Sequence, residues 1–87
     1  MIKPTVGRVV WFRHPQMLPY HQPYAALVTF VHSDEYVNLI VFDPNGKPFG
    51  ADSIQLLQEG QEKPEKKNYA EWMPYQIGQA KKHEEVK

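Results

Sequence analysis

The sequence has no cysteine among its 87 residues, which excludes disulfides and thiolate metal sites. Such a chain needs no oxidising compartment, and we expect it in the cytoplasm. The sequence also lacks an excess of charge of either sign, because ten Lys and Arg residues balance ten Asp and Glu residues. A neutral chain has no overall attraction to nucleic acid, so we expect no long nucleic acid as a partner.

Long apolar runs are missing as well. No stretch approaches the roughly 20 apolar residues of a membrane-spanning helix, and residues 1–5 lack the apolar run of a signal peptide. We therefore expect no membrane partner. The chain length suits a single small domain with one core. Oligomer formation is a usual way for a domain of this size to bury more surface.

Prolines and aromatic residues are frequent, with eight prolines and an aromatic fraction of 13%. Together with short runs of β-branched residues, they indicate an all-β fold. We predict four main strands, at 6–12, 24–32, 36–43 and 48–57. A proline-rich loop at 13–23 follows the first strand, and a meander follows the loop. This layout predicts a small SH3-like barrel of four to five antiparallel strands with a C-terminal aromatic segment.

The barrel core is assigned to residues 1–58 of this single domain. A polar linker at 59–68 comes next, then an aromatic segment at 69–78 that caps this barrel or a neighbour's. A charged tail at 79–87 ends the chain and is expected to fray. Residues 43–46 read D-P-N-G, which is typical of a type I turn.

The predicted strand at 36–43 presents two different faces, because strand residues alternate between the sides of a sheet. Its aliphatic face, formed by Val37, Leu39 and Val41, is assigned to the core. The opposite face is too apolar for a solvated one, so another layer, a ligand or a second subunit must cover it. We predict a homo-oligomer with these interface residues: Ile40, Phe42, Met73 and Tyr75.

Motifs for catalysis are missing: the chain has no nucleophile elbow, no phosphate-binding P-loop and no dinucleotide fingerprint. His14 and His21 lie seven residues apart in a loop, which is not a typical zinc spacing. We therefore expect no enzyme activity, no cofactor and no metal.

Cationic and aromatic side chains favour binding, since Arg forks grip phosphate and aromatic rings stack on bases. The alternatives are burial for the Trp residues and pinning of the loop for the Tyr residues. The side-chain amide of Asn38, on the third strand, would form hydrogen bonds with a base edge or a ribose. The site lies either on the loop at 13–23 or on the first and third strands. The candidate ligand-binding residues are Arg8, Trp11, Arg13, Tyr20, Tyr24, Asn38 and Trp72.

Four sequence blocks carry a family resemblance. Residues 3–10 read K-P-T-V-G-R-V-V, residues 25–31 read A-A-L-V-T-F-V, residues 37–46 read V-N-L-I-V-F-D-P-N-G, and residues 72–74 read W-M-P. The chain resembles a group of short bacteriophage proteins with K-P-T-x-G-R-V-V and V-N-L-x-V-F motifs, of the small β-barrel accessory or anti-defence type. The group has no settled activity. The resemblance implies a phage-encoded accessory protein that acts in the cytoplasm of the bacterial host.

Small oligomeric phage proteins that sequester the nucleotide signals of host defence have this general profile, because they are short, neutral and cysteine-free and build pockets between subunits. We therefore expect a non-enzymatic sponge that holds a nucleotide-type immune signal, such as a cyclic oligonucleotide, in pockets between subunits. The alternative is an SH3-like interaction module that docks a host or phage protein. Fold alone does not separate these two functions, because one fold supports many functions.

Overall fold

The computed structural model describes residues 2–17 and 21–86, and side chains at 2–17 and 21–80. Strands form where β-branched and aromatic residues are dense, and a helix follows them near the C-terminus. The elements are β1 (Val9–Arg13), β2 (Tyr24–Ser33), β3 (Tyr36–Phe42), β4 (Pro48–Leu57), β5 (Tyr69–Glu71) and α1 (Pro74–Val86).

The five strands close into a barrel in the order β1-β2-β3-β4-β5. The first four form an antiparallel meander, and β5 pairs antiparallel with β1. This confirms the prediction of a small all-β, SH3-like barrel. One pairing differs from the prediction, since β5 runs parallel to β4. The chain crosses the barrel between these two strands, so β5 enters in the direction of β4.

The core lies inside the barrel and consists of the inward side chains of all five strands. On β3, Val37, Leu39 and Val41 are at most 2% exposed, which confirms their assignment to the core. Alternation along a strand places every second side chain inside. The core residues are Val10, Phe12, Ala26, Val28, Val37, Leu39, Val41, Ile54, Leu56, Ala70 and Trp72.

The first strand begins at Val9, three residues later than predicted, because Gly7 occupies a turn. Its φ of 93° lies in the left-handed region, which glycine adopts without the steric cost of a Cβ atom. The Gly7 amide donates to the Val28 carbonyl at 2.8 Å, and the Val28 amide donates to the Arg8 carbonyl at 2.9 Å. These bonds hold Arg8 against β2 just before β1.

The predicted turn between β3 and β4 is confirmed by its hydrogen bonds. The Gly46 amide donates to the Asp43 carbonyl at 2.9 Å. The Asp43 carboxylate accepts from the amides of Asn45 at 2.9 Å and Lys47 at 2.8 Å. Gly46 has a φ of 83°, so the turn uses the freedom of glycine at its fourth position.

Helix α1 is the element that differs most from the sequence prediction, which assigned a frayed tail to residues 79–87. Met73 precedes the helix in place of a capping Ser, Thr, Asp or Asn, so Pro74 at the first helical position is the one usual start signal next to this end. Gln76 supplies the cap: its Oε1 accepts from the Met73 amide at 2.8 Å. Its Nε2 donates to the Val9 carbonyl at 2.7 Å, which attaches the helix to β1. In the described part of the chain, no helix is both long and apolar enough to cross a bilayer.

Candidate functional site

A groove of about 570 Å³ lies between the start of β1 and the first turns of α1. The turn at Gly7 and the bond from Gln76 to Val9 set the two walls of this groove. The described lining residues are Gly7, Arg8, Val9, Met73, Tyr75, Gln76, Gln79 and Ala80. Hereafter we call it the Arg8 groove.

Arg8 is the cation of this groove. Its guanidinium carbon lies 5.7 Å from the centroid of the Trp72 ring, within the range of a cation–π contact. The Arg8 side chain is exposed to solvent, and no carboxylate of the described residues forms an ion pair with it. The guanidinium is therefore exposed beside the Trp72 ring, and its N–H donors are available to an anion.

Trp72 is not available to stack on a base, because it belongs to the core and is only 3% exposed. We therefore revise its predicted role as a stacking residue: the Trp72 ring forms a cation–π contact with Arg8 instead. Its indole N–H is buried and has no hydrogen-bond acceptor within the described structure. The sequence prediction had treated burial as the alternative for Trp72, and the structure places it there.

Tyr75 is the exposed aromatic side chain beside Arg8. It is 71% exposed and lines the groove together with Met73. Both residues were predicted as oligomer contacts from the apolar excess of segment 69–78. Their position next to Arg8 gives the groove an aromatic surface that sequence reasoning had not linked to the cation, because the helix that brings them together was not foreseen.

Arg13 lies in a different environment from Arg8. Its Nε donates to Glu71 Oε1 at 2.8 Å, and its Nη1 donates to the His21 carbonyl at 3.2 Å. The guanidinium carbon also lies 6.0 Å from the centroid of half-buried Trp11. Arg13 therefore links β1 to β5 and to the loop, and two of its N–H groups are engaged within the protein.

Tyr69 adjoins this ion pair, since it is the register partner of Arg13. Burial of the phenol raises the pKa of Tyr69 above its ordinary value, and the negative charge of Glu71 raises it further. The positive charge of Arg13 acts in the opposite direction. The Arg13 region therefore disfavours another negative charge at the phenol. Arg13 and Tyr69 also line a pocket of about 330 Å³, together with His14 and Lys63.

Asn38 stabilises an irregular stretch of the sheet. Its Oδ1 accepts from the Ser53 amide at 2.8 Å and lies 2.8 Å from His32 Nε2. Because the Ser53 amide is a donor, the atom it meets must be the oxygen, and His32 Nε2 must therefore carry its proton. Ser53 has a φ of 52° at the register shift between β3 and β4. The predicted role in reading a base is not visible here, since Asn38 does not line the Arg8 groove.

A separate cavity of about 450 Å³ lies at the proline-rich loop. Tyr24 and His14 line it, and their rings meet edge to face at 5.9 Å. Tyr24 also stacks on Phe12 of the core at 6.4 Å, so it pins the loop to the barrel end. Tyr20, the other predicted loop contact, lies outside the described residues.

The outer side of the barrel carries two rows of register partners, which we call the outer rows. One row runs Val9, Leu27, Ile40 and Gly50 across β1 to β4, and the other runs Trp11, Ala25, Phe42 and Pro48. Neither row holds a charged residue. Val9 is 40% exposed and also lines the Arg8 groove, so the apolar surface continues from the predicted interface residues Ile40 and Phe42 into the groove.

The chemistry of the described residues offers no cluster of three metal-ligating side chains. A comparison with known proteins finds no matching family model, no matching curated protein and no matching solved structure. Function is therefore argued from the geometry of the groove and the rows beside it.

Proposed function

We propose that the chain is a non-enzymatic phage accessory protein that sequesters a nucleotide-type immune signal, such as a cyclic oligonucleotide, in grooves between subunits. The observation that carries this proposal is the exposed Arg8 guanidinium, which lies 5.7 Å from the centre of the Trp72 ring and lines the same groove as exposed Tyr75. The phage origin in this proposal comes from the resemblance of residues 3–10 and 37–42 to short bacteriophage proteins.

The groove offers the two kinds of contact that a nucleotide needs. The open edge of Arg8 presents N–H donors in the fork geometry that suits phosphate oxygens. The Tyr75 ring presents a face on which a base can stack, and such stacking is worth about 1–3 kcal/mol per base. Gln79 adds an amide that both donates and accepts hydrogen bonds.

The groove also favours holding a ligand over converting it. Its described lining supplies no carboxylate, imidazole or thiol, and these are the groups that most often act as bases or nucleophiles. A ligand held by one guanidinium, one phenol ring and amides would leave chemically unchanged. This composition supports sequestration.

A second copy of the chain would complete the site. The groove is open to solvent on one side, and Val9 makes it continuous with the outer rows. A stable interface needs roughly 1,000 Å² or more of buried surface, which two rows spanning four strands are placed to supply. We therefore include a homo-oligomer in the proposal, with twofold symmetry as the simplest closed arrangement.

Thermal unfolding in the presence of nucleotides tests the binding. We expect one cyclic di- or trinucleotide of a panel to stabilise the protein by about 2.7 kcal/mol per site at a concentration of 100 times Kd. Heating the complex should return that nucleotide chemically intact in the supernatant. Arg8→Gln should abolish the shift, whereas Lys3→Gln, at another exposed cation, should preserve it.

The results that would contradict the proposal are equally distinct. A panel in which no nucleotide shifts the melting curve removes the nucleotide function. Recovery of an altered nucleotide would show an enzyme instead. A shift that Arg8→Gln preserves would mean that the site lies elsewhere.

Light scattering tests the homo-oligomer. We expect an assembly larger than a monomer at micromolar concentration, and we expect Ile40→Lys to dissociate it because the lysine places a charge within an outer row. Thr29→Lys is the matched control, since Thr29 is exposed on β2 and belongs to neither row. A monomeric wild-type protein would contradict this part of the proposal.

The outer rows also favour a second candidate function, an SH3-like module that docks a host or phage protein. Exposed apolar surface of this kind often marks a protein-binding site. This function predicts a monomer that binds no nucleotide and loses its partner in Ile40→Lys. The nucleotide panel and the light-scattering experiment together separate it from the sponge.

A further inference from the structure

The Arg8 groove has a small and one-sided charge. Arg8 is the single cation of the described lining, and no Asp or Glu accompanies it there. The remaining polar groups are neutral: the Tyr75 hydroxyl and the amides of Gln76 and Gln79. Both ends of Gln76 are already hydrogen-bonded to backbone, so it contributes little to an incoming anion.

The shape of the guanidinium also limits the anion. Arg8 presents its N–H donors along the planar edge of a fork. That edge matches two oxygens in a bidentate arrangement. A phosphodiester has two non-bridging oxygens and a single negative charge. A terminal phosphate has three such oxygens and a charge of about −1.5 to −2 at neutral pH.

We infer that the Arg8 groove selects nucleotides whose phosphates are all diesters and discriminates against those with a terminal phosphate. The inference rests on the proposed function and names the ligand class of the same site. One guanidinium neutralises one diester charge. A second charge on the phosphate would lose its hydration in the groove without gaining a second cation from the described lining.

Calorimetric titration with paired probes tests this inference. The first pair is the linear dinucleotide ApA, whose only phosphate is a diester, and pApA, which adds a 5′-terminal phosphate. The second pair is GpG and pGpG, and cyclic di-adenylate and cyclic di-guanylate are included as all-diester ligands. At pH 7.5 we expect the diester member of at least one pair to bind about tenfold more tightly than its phosphorylated counterpart.

A change of pH isolates the contribution of charge. At pH 5.5 the terminal phosphate is mostly singly charged, because its second pKa lies near 6. We expect the difference within the pair to shrink at this pH, while the affinity of the cyclic dinucleotides stays constant. The described lining holds no histidine or carboxylate that would titrate in this window.

The outcomes separate the inference from the function on which it rests. If no probe and no nucleotide of the wider panel binds, the proposed function fails. If a cyclic dinucleotide binds but pApA and pGpG bind as tightly as ApA and GpG, the inference is wrong and the proposed function stands. The inference is also wrong if ApA and GpG fail to bind at millimolar concentration, or if the difference within the pair is unchanged at pH 5.5.

Discussion

The surroundings of Arg8 and Arg13 make an instructive comparison, because both arginines lie near β1 and each guanidinium contacts a tryptophan. Arg8 is exposed and rests on buried Trp72. Arg13 rests on half-buried Trp11 but also forms an ion pair with Glu71, in which the two side chains are only 14% and 17% exposed. Arg8 lines a groove and has no ion-pair partner among the described residues, whereas Arg13 lines a smaller pocket and is already paired.

This difference shows that the partner of an arginine decides its role. A guanidinium that is already paired with a carboxylate would have to lose that partner before it could grip phosphate. A guanidinium whose only described contact is with an aromatic ring keeps its N–H donors free for a ligand. Arg13 therefore belongs to the stability of the barrel, and Arg8 is the residue that we assign to the ligand.

The largest expected effect comes from breaking the enclosed pair. Glu71→Ala leaves the mostly buried Arg13 without its carboxylate and should lower the free energy of unfolding by about 3 kcal/mol. Chemical denaturation measures it. Glu62→Ala, at an exposed carboxylate of the preceding loop, is the control and should change stability by less than about 0.5 kcal/mol. Equal effects of the two substitutions would contradict the structural role of Arg13.

A smaller effect is expected when the support of Arg8 is weakened. Trp72→Phe keeps an aromatic ring in the core but reduces the cation–π contact, so nucleotide affinity should fall by about 0.5–1 kcal/mol. Trp11→Phe is the comparison variant, because Trp11 lies beside Arg13 rather than Arg8, and it should lower affinity less than Trp72→Phe does.

A spectroscopic readout distinguishes support of Arg8 from a general loss of packing. Trp11→Phe leaves Trp72 as the single tryptophan, so its fluorescence should respond to nucleotide when the ligand engages the guanidinium above it. If the fluorescence of Trp72 does not change when nucleotide is added, and Trp72→Phe leaves the affinity unchanged, the ring has no part in binding.

The smallest effect concerns pH and the Arg13 region. The pKa of Tyr69 is raised in the folded state, chiefly by burial and then by Glu71. The phenol therefore contributes stability that is fully present below its unfolded pKa of 10.0 and is lost as pH rises through the higher folded value. Between pH 9 and 11, the unfolding free energy should fall more steeply in the wild type than in Tyr69→Phe. Parallel curves would contradict an enclosed phenol.

The fold was largely predictable from local patterns. The alternation of Val37, Leu39 and Val41 predicts an inner face, because a strand repeats every two residues, and burial confirms it. Residues 43–46 predict their turn because proline and glycine restrict or permit particular φ values. Helix α1 could not be foreseen in this way, since its cap is a glutamine side chain whose other end requires the Val9 carbonyl of β1.

The sequence by itself determined which segments form the main strands, which face of β3 is buried, and which cations and aromatic rings are present. Which of these side chains act together was decided only by the tertiary structure. Arg8 is 64 residues from Trp72 in the chain, and Arg13 is 58 residues from Glu71. Closure of the barrel by β5 brings both pairs together, because β5 docks on β1 and carries Trp72 in behind it. Chain spacing carries no information about such contacts, so two similar arginines acquire different roles only when the barrel closes.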